Sequence, residues 1–169
     1  MKDTIEVKNI AVRKTARYYL LGKKNNSLKE IWFVCHGYGY LAKYFIKEFD
    51  VISGSNRLIV APEGLNRFYK NGLDGRVGAS WMTKESRLSE ISDYVNYLDA
   101  VYNEVLDGLA VENLTVKVLG FSQGAAAVCR WLCMGRAKAG QIIVWAGAIP
   151  DDLDFNKLNM VLNGRPLNL

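Results

Sequence analysis

Short hydrophobic runs alternate with longer helical patterns along the chain, and this alternation predicts an α/β domain with a mostly parallel sheet. Four runs are mostly apolar, which is typical of strands covered by helices on both faces. They are residues 31–35, 58–61, 116–120 and 141–146. Two shorter segments, 5–11 and 16–21, alternate between apolar and polar residues. We predict that they form an antiparallel hairpin at one edge of the sheet.

Two segments between the strands have a helical period. Residues 40–52 predict an amphipathic helix, and a longer helix is expected after residue 84. In the longer segment, apolar residues recur at steps of three and four and predict a face that packs on the sheet. These residues are Leu88, Ile91, Val95, Leu98, Tyr102, Val105 and Leu109. Residues 62–83 follow neither period and predict a long structured loop, a kind of segment that is commonly functional.

Length and composition favour a single domain with a sizeable core. The chain has 169 residues, of which 50% are hydrophobic and 23% are charged, and this composition argues against disorder and against a coiled coil. No window approaches the roughly 18 apolar residues of a membrane span. The charged N-terminal residues also lack the apolar stretch of a secretory signal. We therefore expect a soluble, cytoplasmic protein.

The net charge does not predict a nucleic-acid partner, and the cysteines do not predict a metal site. The net charge is +5, but lysines and arginines are interleaved with acids and form no aromatic-basic stripe of the kind that binds nucleic acid. Cys129 and Cys133 lie four apart on a predicted helix, yet no further zinc ligands lie nearby and the chain has one histidine. We expect these two residues and Cys35 to be buried core residues. Nucleic acid and metal ions are not expected as partners.

A G-x-S-x-G sequence follows the predicted strand 116–120. It reads Gly-Phe-Ser-Gln-Gly with Ser122 at its centre, and an alanine-rich helical run comes directly after it. A nucleophilic serine needs such a sharp strand-to-helix turn, because the turn exposes its hydroxyl. The oxyanion formed by attack would need two backbone N–H donors, one after the nucleophile and one in the loop after an earlier strand. We predict Ser122 as the nucleophile and the N–H groups of Gln123 and Tyr38 as the donors.

Four motifs together resemble the phospholipase/carboxylesterase branch of the α/β-hydrolase fold, which includes acyl-protein thioesterases. They are His-Gly-Tyr-Gly at 36–39, Ala-Pro-Glu-Gly at 61–64, Gly-Phe-Ser-Gln-Gly at 120–124 and Trp-Ala-Gly-Ala-Ile-Pro at 145–150. The resemblance implies hydrolysis of small carboxylic esters or acyl thioesters through an acyl-serine intermediate, without a metal or organic cofactor. It also implies that Trp81 lines the acyl site. We expect Phe68, Tyr69 and Met82 to line it too, although packing of a long loop would explain these residues equally well.

The sequence departs from this branch at the residues that should activate the serine. In this fold the catalytic Asp and His follow the nucleophile, whereas the only histidine, His36, precedes Ser122. Three acids follow the strand 141–146 and are tempting substitutes for the catalytic Asp, but by resemblance they come one strand too early. They are Asp151, Asp152 and Asp154. We expect the chain as printed to be nearly inactive.

The missing residues predict a hydrolase domain that is incomplete at its C-terminus. By resemblance, the next strand would begin at about residues 165–169, where the sequence stops. We therefore expect an α/β-hydrolase-type sheet that lacks its last two strands. Strand 141–146 would then be short of a neighbour, and an open edge of this kind favours self-association.

Two alternatives keep the hydrolase fold but change its chemistry. His36 would act as the base of a Ser-His dyad, since the motifs of His36 and Ser122 follow strands expected to be neighbours. A histidine before a glycine-rich loop, however, more often shapes that loop by hydrogen bonding. The other alternative is a non-catalytic descendant that binds acyl groups without turnover.

A different class of function is suggested by the glycines after strand 31–35. Residues 37–42 match G-x-G-x-x-A, and Glu63 follows the next strand, which is the outline of an NAD-binding oxidoreductase. This alternative is weak, because it leaves the G-x-S-x-G sequence unexplained. Three further glycines suggest a phosphate loop but lack the Lys-Ser or Lys-Thr that would complete one, so we interpret them as turn residues. They are Gly72, Gly75 and Gly78.

Overall fold

In the computed structural model, alternating strands and helices build one main sheet and a separate hairpin. The structure describes residues 4–154, 156, 157 and 160, together with the backbone of 167–168. The strands are β1 (Tyr18–Leu21), β2 (Glu30–Cys35), β3 (Arg57–Pro62), β4 (Asn66–Tyr69), β5 (Val77–Ser80), β6 (Thr115–Phe121), β7 (Gln141–Trp145) and β8 (Leu167–Asn168). The described helices are α1 (Ala42–Phe45), α2 (Arg87–Leu106) and α3 (Gln123–Met134). Two 3-10 segments are also present: Ile46–Ile52, which continues α1, and Val111–Asn113, which precedes β6.

The main sheet has the order β1-β3-β2-β6-β7-β8. All neighbours are parallel except β1, which pairs antiparallel with β3. The four predicted parallel strands are therefore confirmed. β2 lies at the point where the strand order reverses, with β3 on one side and β6 on the other. In open parallel sheets such a switch point opens a crevice at the carboxyl ends of the strands, and this is where ligands bind.

Helices cover both faces of this sheet, as the continuous apolar strands predict. On one face, α2 and α3 pack against residues such as Phe33 and Val118. On the other face, α1 and the 3-10 segment pack Phe45 and Phe49 against strand residues such as Val34. The predicted helix at 40–52 is thus a single α turn that tightens into a 3-10 helix. The predicted apolar face of α2 is buried or half-buried except at Leu88, which is 75% exposed.

The predicted N-terminal hairpin is wrong. Residues 5–11 are in no strand, and the side chains of Ile5 and Ile10 are almost fully exposed. The strand predicted at 16–21 does form, as β1, but its partner is β3, with Tyr19 opposite Ala61. Alternation along one strand fixes which side chains face the core, whereas the choice of partner depends on the rest of the sheet.

The predicted long loop at 62–83 is also wrong in part, because it contains the antiparallel hairpin of β4 and β5. Gly72 and Gly75 lie in the hairpin connection, as predicted, but Gly78 lies within β5, opposite Phe68. A glycine inside a strand weakens the alternation by which strands are found in a sequence. The hairpin follows β3 directly and therefore lies at the carboxyl end of the main sheet.

Beyond β7 the sheet continues with two residues. The backbone of β8 pairs in parallel with β7, with Ile142 opposite Leu167. The strand predicted to begin at about 165 is therefore present at 167–168, while 165, 166 and 169 lie outside the described residues. The expectation that β7 lacks a neighbour is corrected accordingly.

Within the described ranges, no helix combines the length and the apolar character that crossing a membrane requires.

Candidate active site

Ser122 occupies a sharp turn between β6 and α3. Its backbone has φ 52° and ψ −117°, a conformation that L-residues with a side chain rarely adopt, and its side chain is exposed. The turn requires glycine at its close contacts. A Cβ at Gly124 would lie 2.2 Å from the carbonyl oxygen of Cys35, and one at Gly120 would lie 2.4 Å from the carbonyl oxygen of Gly124. The strained turn thus exposes the Ser122 side chain at the carboxyl end of β6.

The loop after β2 lies directly beside this serine. Cys35 and Gly120 are register partners, so the segments that follow β2 and β6 leave the sheet side by side. A Cβ built on Gly37 would lie 3.2 Å from the Cβ of Ser122. Among the described hydrogen bonds, none uses the N–H of Tyr38 or of Gln123 as its donor. The two predicted oxyanion donors are therefore unengaged and belong to segments in contact with Ser122.

The β4–β5 hairpin holds this loop in place through its backbone. The N–H of Gly39 donates to the carbonyl of Ala79 at 2.8 Å, and the N–H of Ala79 donates to the carbonyl of Tyr40 at 3.1 Å. Within the loop, the N–H of Tyr40 donates to the carbonyl of Gly37 at 3.2 Å. These bonds use the N–H groups of Gly39 and Tyr40, which follow Tyr38 in the chain, and leave the N–H of Tyr38 itself available.

His36 is fully buried, and both of its ring nitrogens bond to the backbone. Nε2 accepts the N–H of Gly64 at 2.9 Å, and Nδ1 lies 2.8 Å from the carbonyl oxygen of Gly37. An N–H can only donate, so Nε2 carries no proton and Nδ1 carries the proton that the Gly37 carbonyl accepts. Burial lowers the pKa of His36, which favours this neutral form. Since no ring nitrogen is left for Ser122, the Ser-His dyad is not formed.

Trp81 and Gln123 connect the hairpin to the loop and the turn. Trp81 is only 1% exposed, and its Nε1–H donates to the carbonyl of His36 at 2.7 Å. The side chain of Gln123 accepts the N–H of Trp81 at 3.1 Å and donates to the carbonyl of Met82 at 2.7 Å. That Trp81 lines the acyl site stays a prediction, and its buried ring would offer an acyl chain little surface.

The other predicted lining residues divide into two groups. Phe68 is half-buried and stacks on the exposed ring of Tyr38 with centroids 5.0 Å apart, and Met82 is half-buried at the end of the hairpin. Tyr69 is exposed and follows Phe68 in β4, so its side chain points to the opposite face of the hairpin. The structure thus brings Phe68 next to the loop that contacts Ser122, and it directs Tyr69 away from that loop.

In sequence, the chain matches no protein-family model and no curated protein. Solved structures are similar in fold. A phospholipase/carboxylesterase from Dyadobacter fermentans has a TM-score of 0.61 at 20% identity, over 85% of this chain and 66% of that chain. Acyl-protein thioesterase 2 from Zea mays has a TM-score of 0.59 at 14% identity, over 90% of this chain and 69% of that chain. The carboxylesterase from Bacillus cereus has a TM-score of 0.56 at 12% identity, over 90% of this chain and 82% of that chain.

The chain has the α/β-hydrolase fold. The structures that it resembles include those of the branch indicated by its motifs. The chain spans slightly less than two thirds of the length of the D. fermentans protein. In this α/β-hydrolase fold, Ser122 and the loop at 36–42 occupy the crevice at the switch point of the sheet.

Two aromatic residues beside Ser122 were missed by the sequence analysis. The N–H of Ser122 donates to the carbonyl of Trp145 at 2.9 Å, and Trp145 is 54% exposed at the end of β7. Its ring meets that of Phe121 edge to face, with centroids 5.4 Å apart. The signal that could have found Trp145 is a large aromatic residue at the carboxyl end of a strand next to β6.

Of the three acids after β7, Asp152 and Asp154 are engaged elsewhere, and the exposed Asp151 forms no side-chain hydrogen bond with a described residue. The carboxylate of Asp152 pairs with Arg87 at 2.5 Å and with Arg130 at 3.1 Å, and hydrogen bonds from these two arginines lower the pKa of Asp152 to about 2. Asp154 accepts two backbone N–H groups of the turn that follows it, at 3.0 and 3.2 Å. Neither carboxylate is bonded to His36, so neither orients it as the acid of a triad would.

The dinucleotide and metal alternatives find no support in the site. In an NAD site, Glu63 would face a ribose, but here its carboxylate is buried and ion-paired with Arg17 at 2.7 Å. It also accepts the N–H of Ala42 at 3.2 Å, which occupies the start of the short helix α1. Cys129 and Cys133 are buried, and burial raises the pKa of the Cys129 thiol to about 12. The described residues contain no cluster of three or more potential metal ligands.

Proposed function

We propose that this chain belongs to a serine hydrolase that acts on small carboxylic esters or acyl thioesters. The observation that carries the proposal is the exposed, strained Ser122 between β6 and α3, next to a loop whose Tyr38 N–H is unengaged. The Ser122 hydroxyl is the nucleophile, and the N–H groups of Tyr38 and Gln123 are the oxyanion donors. Phe68, Met82, Phe121 and Trp145 are the residues that we propose to contact the acyl group.

The reaction proceeds in two halves on Ser122. Its Oγ attacks the acyl carbon, and the carbonyl oxygen becomes an oxyanion that the two N–H groups stabilise, each contributing about 2.7–4 kcal/mol in comparable sites. The alcohol or thiol leaves with a proton, and an acyl-serine remains. Water then attacks the acyl-serine, the acid is released and the Ser122 hydroxyl is restored. No metal or organic cofactor is needed.

The proton of Ser122 requires a base, and His36 is committed to backbone bonds. We infer that the working enzyme is longer than these 169 residues and that the catalytic His and Asp come from the additional segment. The chain spans 66% of the length of the similar D. fermentans protein, which supports this inference. A cytoplasmic location and self-association at the edge of the sheet that β8 forms are further parts of the proposal.

Covalent labelling with a serine-directed fluorophosphonate tests the nucleophile. The protein is expressed from its full gene, and its intact mass is measured before and after labelling. We expect one adduct in the wild type, none in Ser122→Ala, and one in Ser89→Ala, which removes an exposed hydroxyl of α2. Hydrolysis of short p-nitrophenyl esters and of acyl thioesters should be lost together with the adduct.

An unlabelled wild type would contradict the hydrolase and favour the acyl-binding alternative. Isothermal titration calorimetry with short-chain fatty acids, which needs no reporter residue, then distinguishes a binding protein from an inert domain. Binding that is lost in Trp145→Ala would support the acyl-binding protein.

A further inference from the structure

Glu63 is a buried carboxylate at the carboxyl end of β3 that the proposed mechanism does not use. It is 2% exposed, and each of its oxygens has a different partner. Oε1 accepts the Nε–H of Arg17 at 2.7 Å, and Oε2 accepts the backbone N–H of Ala42 at 3.2 Å. Burial of a carboxylate is unfavourable unless it is paired and hydrogen-bonded. Arg17 supplies the compensating charge, and the other oxygen binds the backbone at the end of the 36–42 loop.

Glu63 and Gly64 together hold both ends of that loop. Gly64 donates its N–H to Nε2 of His36 at the start of the loop, at 2.9 Å, and Glu63 binds the N–H of Ala42 at its end. Between these two anchors lies Tyr38, whose N–H is unengaged within the described chain. The position of the Tyr38 N–H therefore depends on two consecutive residues that directly follow β3.

The backbone of Arg17 is itself anchored. The carbonyl oxygen of Arg17 accepts the N–H of Glu63 at 3.1 Å and the hydroxyl of Tyr97 at 2.7 Å. These bonds tie the backbone before β1 to β3 and to α2. The Glu63 carboxylate can therefore restrain the Ala42 N–H, because the Glu63 backbone is bonded to Arg17 and not to the loop.

We propose that Glu63 is a positioning residue which, with Arg17 as its counter-ion, fixes the 36–42 loop so that the Tyr38 N–H faces Ser122. The restraint of the loop stands on its own, and only the purpose of the restraint rests on the proposed function. Catalytic donors must be held close to the productive geometry, so a small displacement of the loop reduces the reaction rate strongly.

Two double variants separate the effect of the hydrogen bond to the Ala42 N–H from the effect of the buried charge of Glu63. Arg17→Met with Glu63→Gln removes the ion pair but keeps an amide oxygen for the Ala42 N–H. Arg17→Met with Glu63→Leu removes the ion pair and the acceptor, and both replacements leave no buried charge without a partner. Amide hydrogen exchange of residues 37–42 is measured in the full-length protein, with the amides of β6 as an internal reference.

We expect the Ala42 amide to exchange at least tenfold faster in the Leu double variant than in the Gln double variant. The exchange of β6 and the urea midpoint should be similar in the two. Fluorophosphonate should label Ser122 more slowly when the loop loses its protection. We expect the labelling rate of the Leu double variant to be at least tenfold lower than that of the Gln double variant. If the Arg17 replacements do not fold, Glu63→Gln compared with Glu63→Ala in the presence of Arg17 provides the same contrast.

Equal exchange of the loop in both double variants would overturn the proposal. So would faster exchange of the loop and β6 together, since that would show a general effect on stability and no specific effect on the loop. Hydrogen exchange requires no catalysis, so its outcome is independent of the proposed function. Loss of loop protection in a protein whose Ser122 is never labelled would support the role of Glu63 and contradict the hydrolase.

Discussion

The backbone N–H of Ser122 donates a 2.9 Å hydrogen bond to the carbonyl oxygen of Trp145. This bond ties the turn that presents the serine to the end of the neighbouring strand β7. The chain then continues through Ala146, which has φ 48°, and Gly147, which packs against the carbonyl of Ser122. The strained turn is therefore held from two sides, by its own glycines and by the segment that follows β7.

Gly147→Ala should disturb the turn at Ser122. A Cβ at Gly147 would lie 2.4 Å from the Cβ of Ala125 and 2.5 Å from the carbonyl oxygen of Ser122, so the backbone must shift. We expect the free energy of unfolding in urea to fall by about 1–3 kcal/mol. Fluorophosphonate labelling of Ser122 should also slow.

Gly54→Ala is the matched control for this substitution. A Cβ at Gly54 has its nearest neighbour at 3.6 Å, an ordinary contact with Oδ1 of Asn56. The control should leave the free energy of unfolding within about 0.5 kcal/mol of the wild type. Equal effects of the two substitutions would show that close packing at Gly147 does not constrain the turn.

Gln123→Glu should loosen the connection between the hairpin and the Ser122 turn. The amide NH2 of Gln123 donates to the carbonyl of Met82 at 2.7 Å, and a carboxylate oxygen placed there would repel that carbonyl. We expect a loss of about 1–3 kcal/mol in the free energy of unfolding. Amide exchange at residues 80–82 should become faster.

Gln141→Glu makes the same change at the start of β7, where the side chain is half-buried and forms no hydrogen bond with a described residue. Its effect on the free energy of unfolding should be small. If it destabilises the protein as much as Gln123→Glu, added negative charge explains the result and the specific bond does not.

Stability should fall as the pH falls below about 6.5 because of His36. Burial lowers the pKa of His36 in the folded protein, so the unfolded chain takes up the proton first, starting near the ordinary pKa of about 6.5. The contribution of the neutral ring is complete above that pH and is lost as the pH falls towards the lowered value. We expect the free energy of unfolding to be lower at pH 5.5 than at pH 6.5.

His36→Gln tests the assignment, since the chain has one histidine. An amide can accept the N–H of Gly64 and donate to the carbonyl of Gly37, but it does not titrate. The variant should have a nearly flat stability profile between pH 7.5 and 5.5. A slope equal to that of the wild type would assign the pH dependence to another group.

Glu30→Gln should destabilise the opposite end of the sheet. Burial raises the pKa of Glu30, but hydrogen bonds from Lys117, Trp32 and Arg57 outweigh this effect and lower the pKa to about 2. The ion pairs with Lys117 and Arg57 measure 2.7 and 2.6 Å. We expect the substitution to reduce the free energy of unfolding at pH 7 by about 1–3 kcal/mol.

The difference between wild type and Glu30→Gln should depend on pH in a defined direction. The ionised carboxylate stabilises the fold above its ordinary pKa of 4.5, and this contribution is lost as the pH falls towards 2. Urea unfolding at pH 7 and pH 3 should therefore show a smaller difference at pH 3. Glu48→Gln, at an exposed carboxylate of the 3-10 segment, should show little difference at either pH.

The sequence alone was sufficient to predict the parallel strands, the helix α2 and the turn around Ser122. Each of these depends on neighbouring residues. Continuous apolar runs form buried strands, a repeat at steps of three and four gives one face of a helix, and glycines on either side of a serine permit a sharp turn. The position of the loop after β2 also followed, because adjacent parallel strands end at the same edge of the sheet.

Only the tertiary structure decided the partner of β1, the presence of the β4–β5 hairpin and the roles of three polar or aromatic residues. His36, Glu63 and Trp81 each looked like functional residues, and each is buried and bonded to the backbone of the loop beside Ser122. Their partners are distant in sequence or depend on how the hairpin folds over the sheet. Local pattern determines which residues are apolar or flexible, whereas hydrogen-bond partners are chosen among groups that only the folded chain brings together.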